Sequence, residues 1–215
     1  MKRNSLPWLV AVAALLVFAP LGLLKLRNRL VPSVPPVIGP YYPGEGGKVE
    51  LRALPDFKMK DAWGNTVTWS NFAGGPVIVD FFFTRCASIC PKMTSSLVRV
   101  QKTTSEQHLS VRLLSFSIDP ESDSEEALRA YAARFGADPA RWTFVRGSAA
   151  EVASLASTHF KVLVGSKDAE SGQILHGPQF VLVDADRHIR GWYDGTDPDR
   201  VDALLADLKA LSRAR

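Results

Sequence analysis

The sequence predicts an α/β domain, a mixed sheet flanked by helices, carried behind an N-terminal transmembrane anchor. Three observations lead there. From Val77 onward, apolar strand-like runs alternate with amphipathic helix-like segments, the pattern of a partly parallel sheet between helix layers. The two cysteines of the chain, Cys86 and Cys90, follow the most apolar of those runs directly, and Pro91 stands where a helix would begin. Ahead of all this, Leu6 to Leu24 form an uncharged stretch long enough for a membrane span.

The amino terminus sets the organisation. Lys2 and Arg3 precede the uncharged stretch, and Lys25, Arg27 and Arg29 follow it. Its length suits one span or a long signal peptide. Phe18, Pro20 and Leu21 crowd the place where small residues would mark cleavage, which favours an uncleaved anchor over residues 1–30. Basic residues on both flanks leave orientation to the chemistry. A cysteine pair suits an oxidising or metal-handling compartment, so the domain is expected on the periplasmic side of the inner membrane. Residues 31–50, with Pro32, Pro35, Pro36, Pro40 and Pro43 before Gly44, Gly46 and Gly47, are expected to run extended as a semi-rigid stalk. Residues 51–215, about 165 of them, allow a sizeable hydrophobic core. Net charge is +4 and the isoelectric point about 9.2, with basic residues scattered through this part, so no nucleic-acid footprint is present.

Within the domain the elements follow in order. Asp56–Asp61 and Thr66–Trp69, joined around Gly64 and Asn65, predict a small hairpin ahead of the main sheet. Val77 to Phe83 is a buried strand, and Pro91 to about Gln107 a helix with Met93, Leu97, Val98 and Val100 as apolar positions. Val111–Ile118 is a second buried strand. Ser124–Phe135 is a helix, with Ser122 or Ser124 as its cap and Gly136 as its stop. A short strand at Trp142–Val145 leads to a third helix from Ser148 to about His159. Phe180–Val183 and Ile189–Tyr193 flank a turn at Asp184–Arg187, and Asp199–Leu211 closes the chain as an amphipathic helix.

A strand, a two-cysteine loop and a helix make the reactive corner of a thioredoxin-like fold. Cys90 falls near the helix start, where unpaired N–H groups favour thiolate. Ligands in such sheets lie at the carboxyl ends of the parallel strands, where Cys86 is placed. The pair can be a structural disulfide, a redox couple or part of a metal site; a disulfide closing so small a loop would contribute little chain entropy. The histidines weigh between the other two. His108 at a polar helix end and His188 in a charged turn read as solvated. His159 reads as an imidazolium facing helix-terminal carbonyls. His176 differs, because it immediately precedes a late strand whose leading loop faces the cysteine corner in a thioredoxin-like sheet. Two thiolates and an imidazole suit Cu(I) and can also hold Cu(II).

Thioredoxins place two residues between their cysteines, whereas here Ala87, Ser88 and Ile89 intervene before Cys90–Pro91. That spacing, with Phe81-Phe-Phe-Thr-Arg-Cys, Ser117-Ile-Asp-Pro-Glu-Ser-Asp, Arg141-Trp-Thr-Phe-Val-Arg-Gly and His176-Gly-Pro-Gln-Phe-Val-Leu-Val-Asp in that order, resembles the Sco/SenC family of copper-binding assembly factors for cytochrome c oxidase. The similarity runs from about Leu54 to Leu211. The resemblance implies that Cys86, Cys90 and His176 are copper ligands. It also implies delivery of copper to, or thiol reduction of, the oxidase subunit that carries the binuclear copper centre, with other periplasmic copper carriers as further partners. Two departures stand out. Many members have Pro-Asp after the first cysteine, where this chain has Ala87-Ser88. Many have Asp-His-Ser around the histidine, where this chain has Leu175-His176-Gly177, removing an acidic partner for the ring.

Further residues carry two readings each. Asp80, six positions before Cys86, is either a buried carboxyl of raised pKa able to take a thiol proton, or a group turned to a solvent gap or a lysine. Met93 packs its helix or adds a thioether to the site. Asp119 and Asp123 dock a partner or shape a turn. The leading expectation is a membrane-tethered copper chaperone. The alternative is a thiol–disulfide oxidoreductase that uses the Cys86/Cys90 redox pair to reduce client cysteines before metallation. A peroxidase is disfavoured, because no Thr-x-x-Cys motif is present.

Overall fold

The computed structural model describes residues 34–43 and 49–213. The expected anchor, residues 1–30, lies outside the described residues. Among the described residues no helix is long and apolar enough to cross a membrane.

The elements are β1 (Tyr41–Pro43), β2 (Val49–Leu51), β3 (Met59–Asp61), β4 (Thr66–Val67), β5 (Val77–Phe82), α1 (Cys90–Glu106), β6 (Arg112–Ser117), α2 (Glu125–Phe135), β7 (Trp142–Arg146), α3 (Ala149–Ser154), β8 (Val164–Lys167), β9 (Ile174–His176), β10 (Gln179–Val183), β11 (Ile189–Asp194) and α4 (Pro198–Arg213). Seven strands form one mixed sheet in the order β11-β10-β5-β6-β7-β3-β4. Strands β5, β6 and β7 run parallel at its centre, and the outer strands are antiparallel. The hairpin expected ahead of the sheet is its far edge, because β3 pairs with β7.

Every residue of β5 is buried, Asp80 included, as in a strand covered on both faces. Phe82 packs against Tyr131 of α2 and Phe144 of β7, with ring centroids 5.1 and 5.4 Å away. Its neighbour Phe81 points the other way, stacking on Phe116 and meeting Phe160 edge-on. Helix α1 touches α2 and α4, and α4 lies against β11. The stop and start signals act as the sequence suggests. The hydroxyl of Ser124 accepts the Ala127 N–H at the head of α2, and Gly136 ends that helix at φ 68°. The third helix behaves differently. After Ser154 it widens into a π-helical turn over Leu155–Phe160, a change between i−4 and i−5 pairing that residue propensity does not encode. That turn buries Phe160, whose carbonyl accepts the Trp192 indole N–H at 2.7 Å.

Residues 35–43 fall within the extended, semi-rigid stalk expected over 31–50, and several of them bond to the sheet. At the start of β11, Ile38 N–H donates to Ile189 carbonyl at 2.9 Å and Ile189 N–H donates to Gly39 carbonyl at 2.6 Å, while residues 41–43 pair with β2. Arg190 donates to the Pro35 carbonyl at 2.9 Å. Backbone groups at the sheet's outer edge need partners, and this segment supplies them.

Asp80 settles on its buried reading. It lies opposite Ser115 in the β5–β6 register, and the Ser115 hydroxyl donates to it at 2.5 Å. Trp142 in turn donates its indole N–H to the Ser115 oxygen at 2.8 Å. Burial raises the Asp80 carboxyl to about 7, against the smaller lowering effect of the Ser115 bond. The folded chain therefore holds this proton more tightly than the unfolded chain, whose carboxyl titrates near pH 4. The stabilisation is fully present below about pH 4 and is lost as pH rises through about 7. Asp80→Asn should abolish that slope. In urea denaturation between about pH 4 and pH 7, the parent should lose about 3 kcal/mol relative to the variant. Parallel pH profiles would show that Asp80 is ionised throughout.

Candidate metal centre

Two chain segments meet above the carboxyl end of β5. The first is the loop from Phe83 to Ile89, which delivers Cys86 and then Cys90 as the opening residue of α1. The second is the β8–β9 hairpin, whose last residue is His176. Strand pairing explains the meeting. Strand β10 runs antiparallel to β5 with Val181 opposite Val79, so the residues before β10 sit beyond the end of β5, where the cysteine loop begins.

The three candidate ligands are brought together. Sulfur atoms of Cys86 and Cys90 and a ring nitrogen of His176 lie within 4.8 Å of one another. His176 Nε2 is 3.0 Å from Cys90 Sγ. All three residues are buried, and the cysteines are not bonded to each other. The other ring nitrogen, Nδ1, donates to the Gly177 carbonyl at 3.1 Å, which leaves the Nε2 lone pair for the sulfur side. Burial lowers the His176 pKa, partly opposed by that carbonyl, so the ring is held neutral. A neutral imidazole with a fixed tautomer is the form that ligates metals.

The thiols are unequal. Burial alone would raise Cys86, but hydrogen bonds from Cys90 and Ser88 outweigh it and lower its pKa. The Cys90 N–H reaches Cys86 Sγ at 3.4 Å, and the Ser88 hydroxyl lies 3.6 Å from that sulfur. Contrary to the thiolate expected of Cys90 at the helix start, Cys90 is pushed up, first by burial and then by its bond to Cys86, and its N–H serves Cys86 instead. One sulfur is thus prepared as thiolate while the other keeps its proton until something displaces it. Two sulfurs and one neutral nitrogen fit a soft ion of low coordination number.

The two departures from the family pattern have local explanations. Leu175 is 71% exposed, because alternation along β9 turns it away from the side that His176 faces. The Gly177 carbonyl takes the place of an acidic partner for the ring. A Cβ on Gly177 would collide with the Gln179 side chain, which fills that space. Ser88, in place of an acidic residue, directs its hydroxyl to Cys86.

Other singled-out residues resolve to structural roles. Met93 is buried in the core. Asp123 is buried and accepts from the Thr84 N–H, the Thr84 hydroxyl and the Ser117 hydroxyl, tying the exits of β5 and β6 together. Asp119 pairs with Lys167 at 2.8 Å, anchoring the hairpin that carries His176. Both aspartates therefore shape turns. His108 is exposed, as expected. His188, expected solvated, is half-buried, with its backbone N–H donating to the Asp184 carboxylate. His159 corrects its reading as an imidazolium: burial, with Lys161 nearby, lowers its pKa, and its Nδ1 lies 2.8 Å from the Tyr42 hydroxyl. Sequence reasoning missed the β8–β9 hairpin and its Gln173, which bonds to the cysteine loop. The strands are short and interrupted by a register shift, so no clean alternation signals them. Beside the site an open groove of about 890 Å³ is lined by Ala87, Ser88, Leu175, His176 and Pro178.

The SCO1/SenC family model matches residues 47–213. The SCO1 protein homolog of Bacillus subtilis (strain 168) is 32% identical over 157 residues, covering 73% of this chain and 81% of that protein. Mitochondrial SCO2 homologues match as well, and the chain spans about half of their length. The structure of BsSco, a member of the Sco family of cytochrome c oxidase assembly proteins with a disulfide switch, is 30% identical with a TM-score of 0.68, covering 76% of this chain and 95% of that one. Yeast Sco1 with copper bound shares the fold at 23% identity and a TM-score of 0.60, over 74% of this chain and 89% of that one. Family match and site geometry agree, and the chain belongs to the SCO1/SenC family.

Proposed function

We propose that the chain is a membrane-tethered copper chaperone that helps assemble the copper centre of cytochrome c oxidase, holding one Cu(I) as cargo between Cys86, Cys90 and His176. The observation that carries this reading is the neutral His176 ring set 3.0 Å from Cys90 Sγ, with its Nδ1 proton already engaged. A dithiol that only exchanges electrons needs no imidazole there. The copper-bound structure of yeast Sco1 and the assembly role ascribed to the Sco family support the same reading. Loading displaces the thiol protons, and release to a client returns them. The receiving partner is the copper-binding subunit of the oxidase, with periplasmic copper carriers as suppliers. A single N-terminal anchor would hold the domain at the periplasmic face of the inner membrane.

A second reading, reduction of client disulfides, draws on the inequality of the thiols. Cys86 as thiolate would attack a client disulfide, and Cys90 would then displace the client thiol. Two electrons pass to the client, and a Cys86–Cys90 disulfide remains.

Three measurements address these readings. The reduced chain should bind one Cu(I), and His176→Ala should weaken it at least about tenfold in a competition titration while leaving the dithiol couple usable. Equal affinity in parent and variant would remove the imidazole from the site. Protease added to intact spheroplasts should degrade the domain; protection until lysis would reverse the topology. Copper transfer to an apo cysteine/histidine client fragment should be rapid, generic disulfide reduction slow, and Asp80→Asn should change transfer little. Brisk disulfide turnover that collapses in Asp80→Asn, beside negligible transfer, would place the reductase reading first.

A further inference from the structure

The cysteine loop and the β8–β9 hairpin are remote in sequence, yet the site requires them at a fixed separation. Among the described residues, three hydrogen bonds cross between them. One is the Cys90–His176 contact itself. The other two come from a single side chain, that of Gln173. Its Oε1 accepts the Ala87 N–H at 3.4 Å, and its Nε2 donates to the Arg85 carbonyl at 3.3 Å. Arg85 and Ala87 are the residues on either side of Cys86. The amide thus grips the backbone around Cys86 from both directions, and one orientation of that amide makes both bonds.

We propose that Gln173 is a positioning residue that sets Cys86 against His176. The inference rests on the copper reading for its consequence, and on the two hydrogen bonds for its mechanism. Gln173 is well placed for this task, because its own backbone is held. Its carbonyl accepts the Asp168 N–H at 2.8 Å, and its N–H reaches the Ser171 hydroxyl at 3.3 Å. The turn between them closes through Gly172 N–H to Asp168 carbonyl at 2.9 Å, with Gly172 at φ 67°, a conformation glycine adopts without strain. Three residues further on, β9, which begins immediately after Gln173, ends at His176. One short rigid segment therefore carries both the imidazole and the clasp on the facing loop. Rotation of the loop about Cys86 would break both amide bonds at once. Groups that orient metal ligands in this way typically matter about 10- to 100-fold for affinity.

The test uses the full chain purified in detergent. Gln173→Met keeps the length of the side chain and removes both hydrogen bonds; Gln173→Glu keeps the acceptor for the Ala87 N–H and loses the donor. Hydrogen exchange of the Arg85–Ala87 segment is followed by mass spectrometry, beside a Cu(I) competition titration and the melting temperature of the metal-free chain. Gln173→Met should speed exchange of that segment and weaken Cu(I) about tenfold with melting unchanged, and Gln173→Glu should keep Ala87 protected. Unchanged exchange in Gln173→Met would overturn the clasp. Faster exchange with Cu(I) affinity within about twofold of the parent would overturn its positioning role. A parent that binds no Cu(I) sinks the copper reading instead, and the clasp then stands or falls by the exchange measurement alone.

Discussion

The site depends first on one strand pairing. Strand β10 lies antiparallel on β5, and their register puts Val181 beside Val79. A one-residue slip would turn every side chain of β10 to the opposite face, so burial on both sides of the sheet fixes this register firmly. Once it is fixed, the segment before β10 must project past the end of β5. The loop after β5 leaves from that same end. His176 and the two cysteines, 86 positions apart between Cys90 and His176, thus meet because a hydrophobic sheet packs in one way.

Around that frame, polar groups hold the loops. Asp123 joins the exits of β5 and β6 through Thr84 and Ser117, and Asp119 reaches Lys167 on β8. The pKa of Asp119 is lowered: burial opposes this, but the Lys167 and Ser122 contacts prevail. A carboxylate that is almost wholly buried keeps its charge when a cation and hydrogen bonds meet it there. Asp80, set deeper inside the sheet, shows the opposite outcome. Its one hydroxyl partner does not offset desolvation, and its carboxyl is raised to about 7. The two aspartates are therefore shifted in opposite directions, by how deeply each lies and by the partners that meet it.

Much of this was legible in the residues. Largely apolar runs marked β5 and β10, and the apolar residues of Val111–Ile118 marked β6, because strands covered on both faces show no regular polar side. Ser124, Gly136 and Pro91 marked helix boundaries through local geometry, which sequence encodes directly. Cys86, Cys90 and His176 were legible as a group once β5 and β10 were recognised. What escaped depends on tertiary contact. The strands β8 and β9 are short and irregular, so alternation fails there. The π-helical turn before Lys161 uses residues that suit an ordinary helix equally well. Gln173 gave no signal at all, because a glutamine near a turn is unremarkable until the loop it grips is placed beside it.

The segment from Pro35 to Pro43 has a practical consequence. The family match begins at residue 47, after this segment has passed along Ile189 and Arg190 of β11. A fragment trimmed to the family boundary would keep the whole sheet and all three of Cys86, Cys90 and His176. It would also leave Ile189, at the start of the outer edge of β11, without its backbone partners. Exposed strand edges recruit other strands, so such a fragment invites self-association between copies. An aggregating or dimeric fragment would then report on where the chain was cut, while Cys86, Cys90 and His176 remained intact.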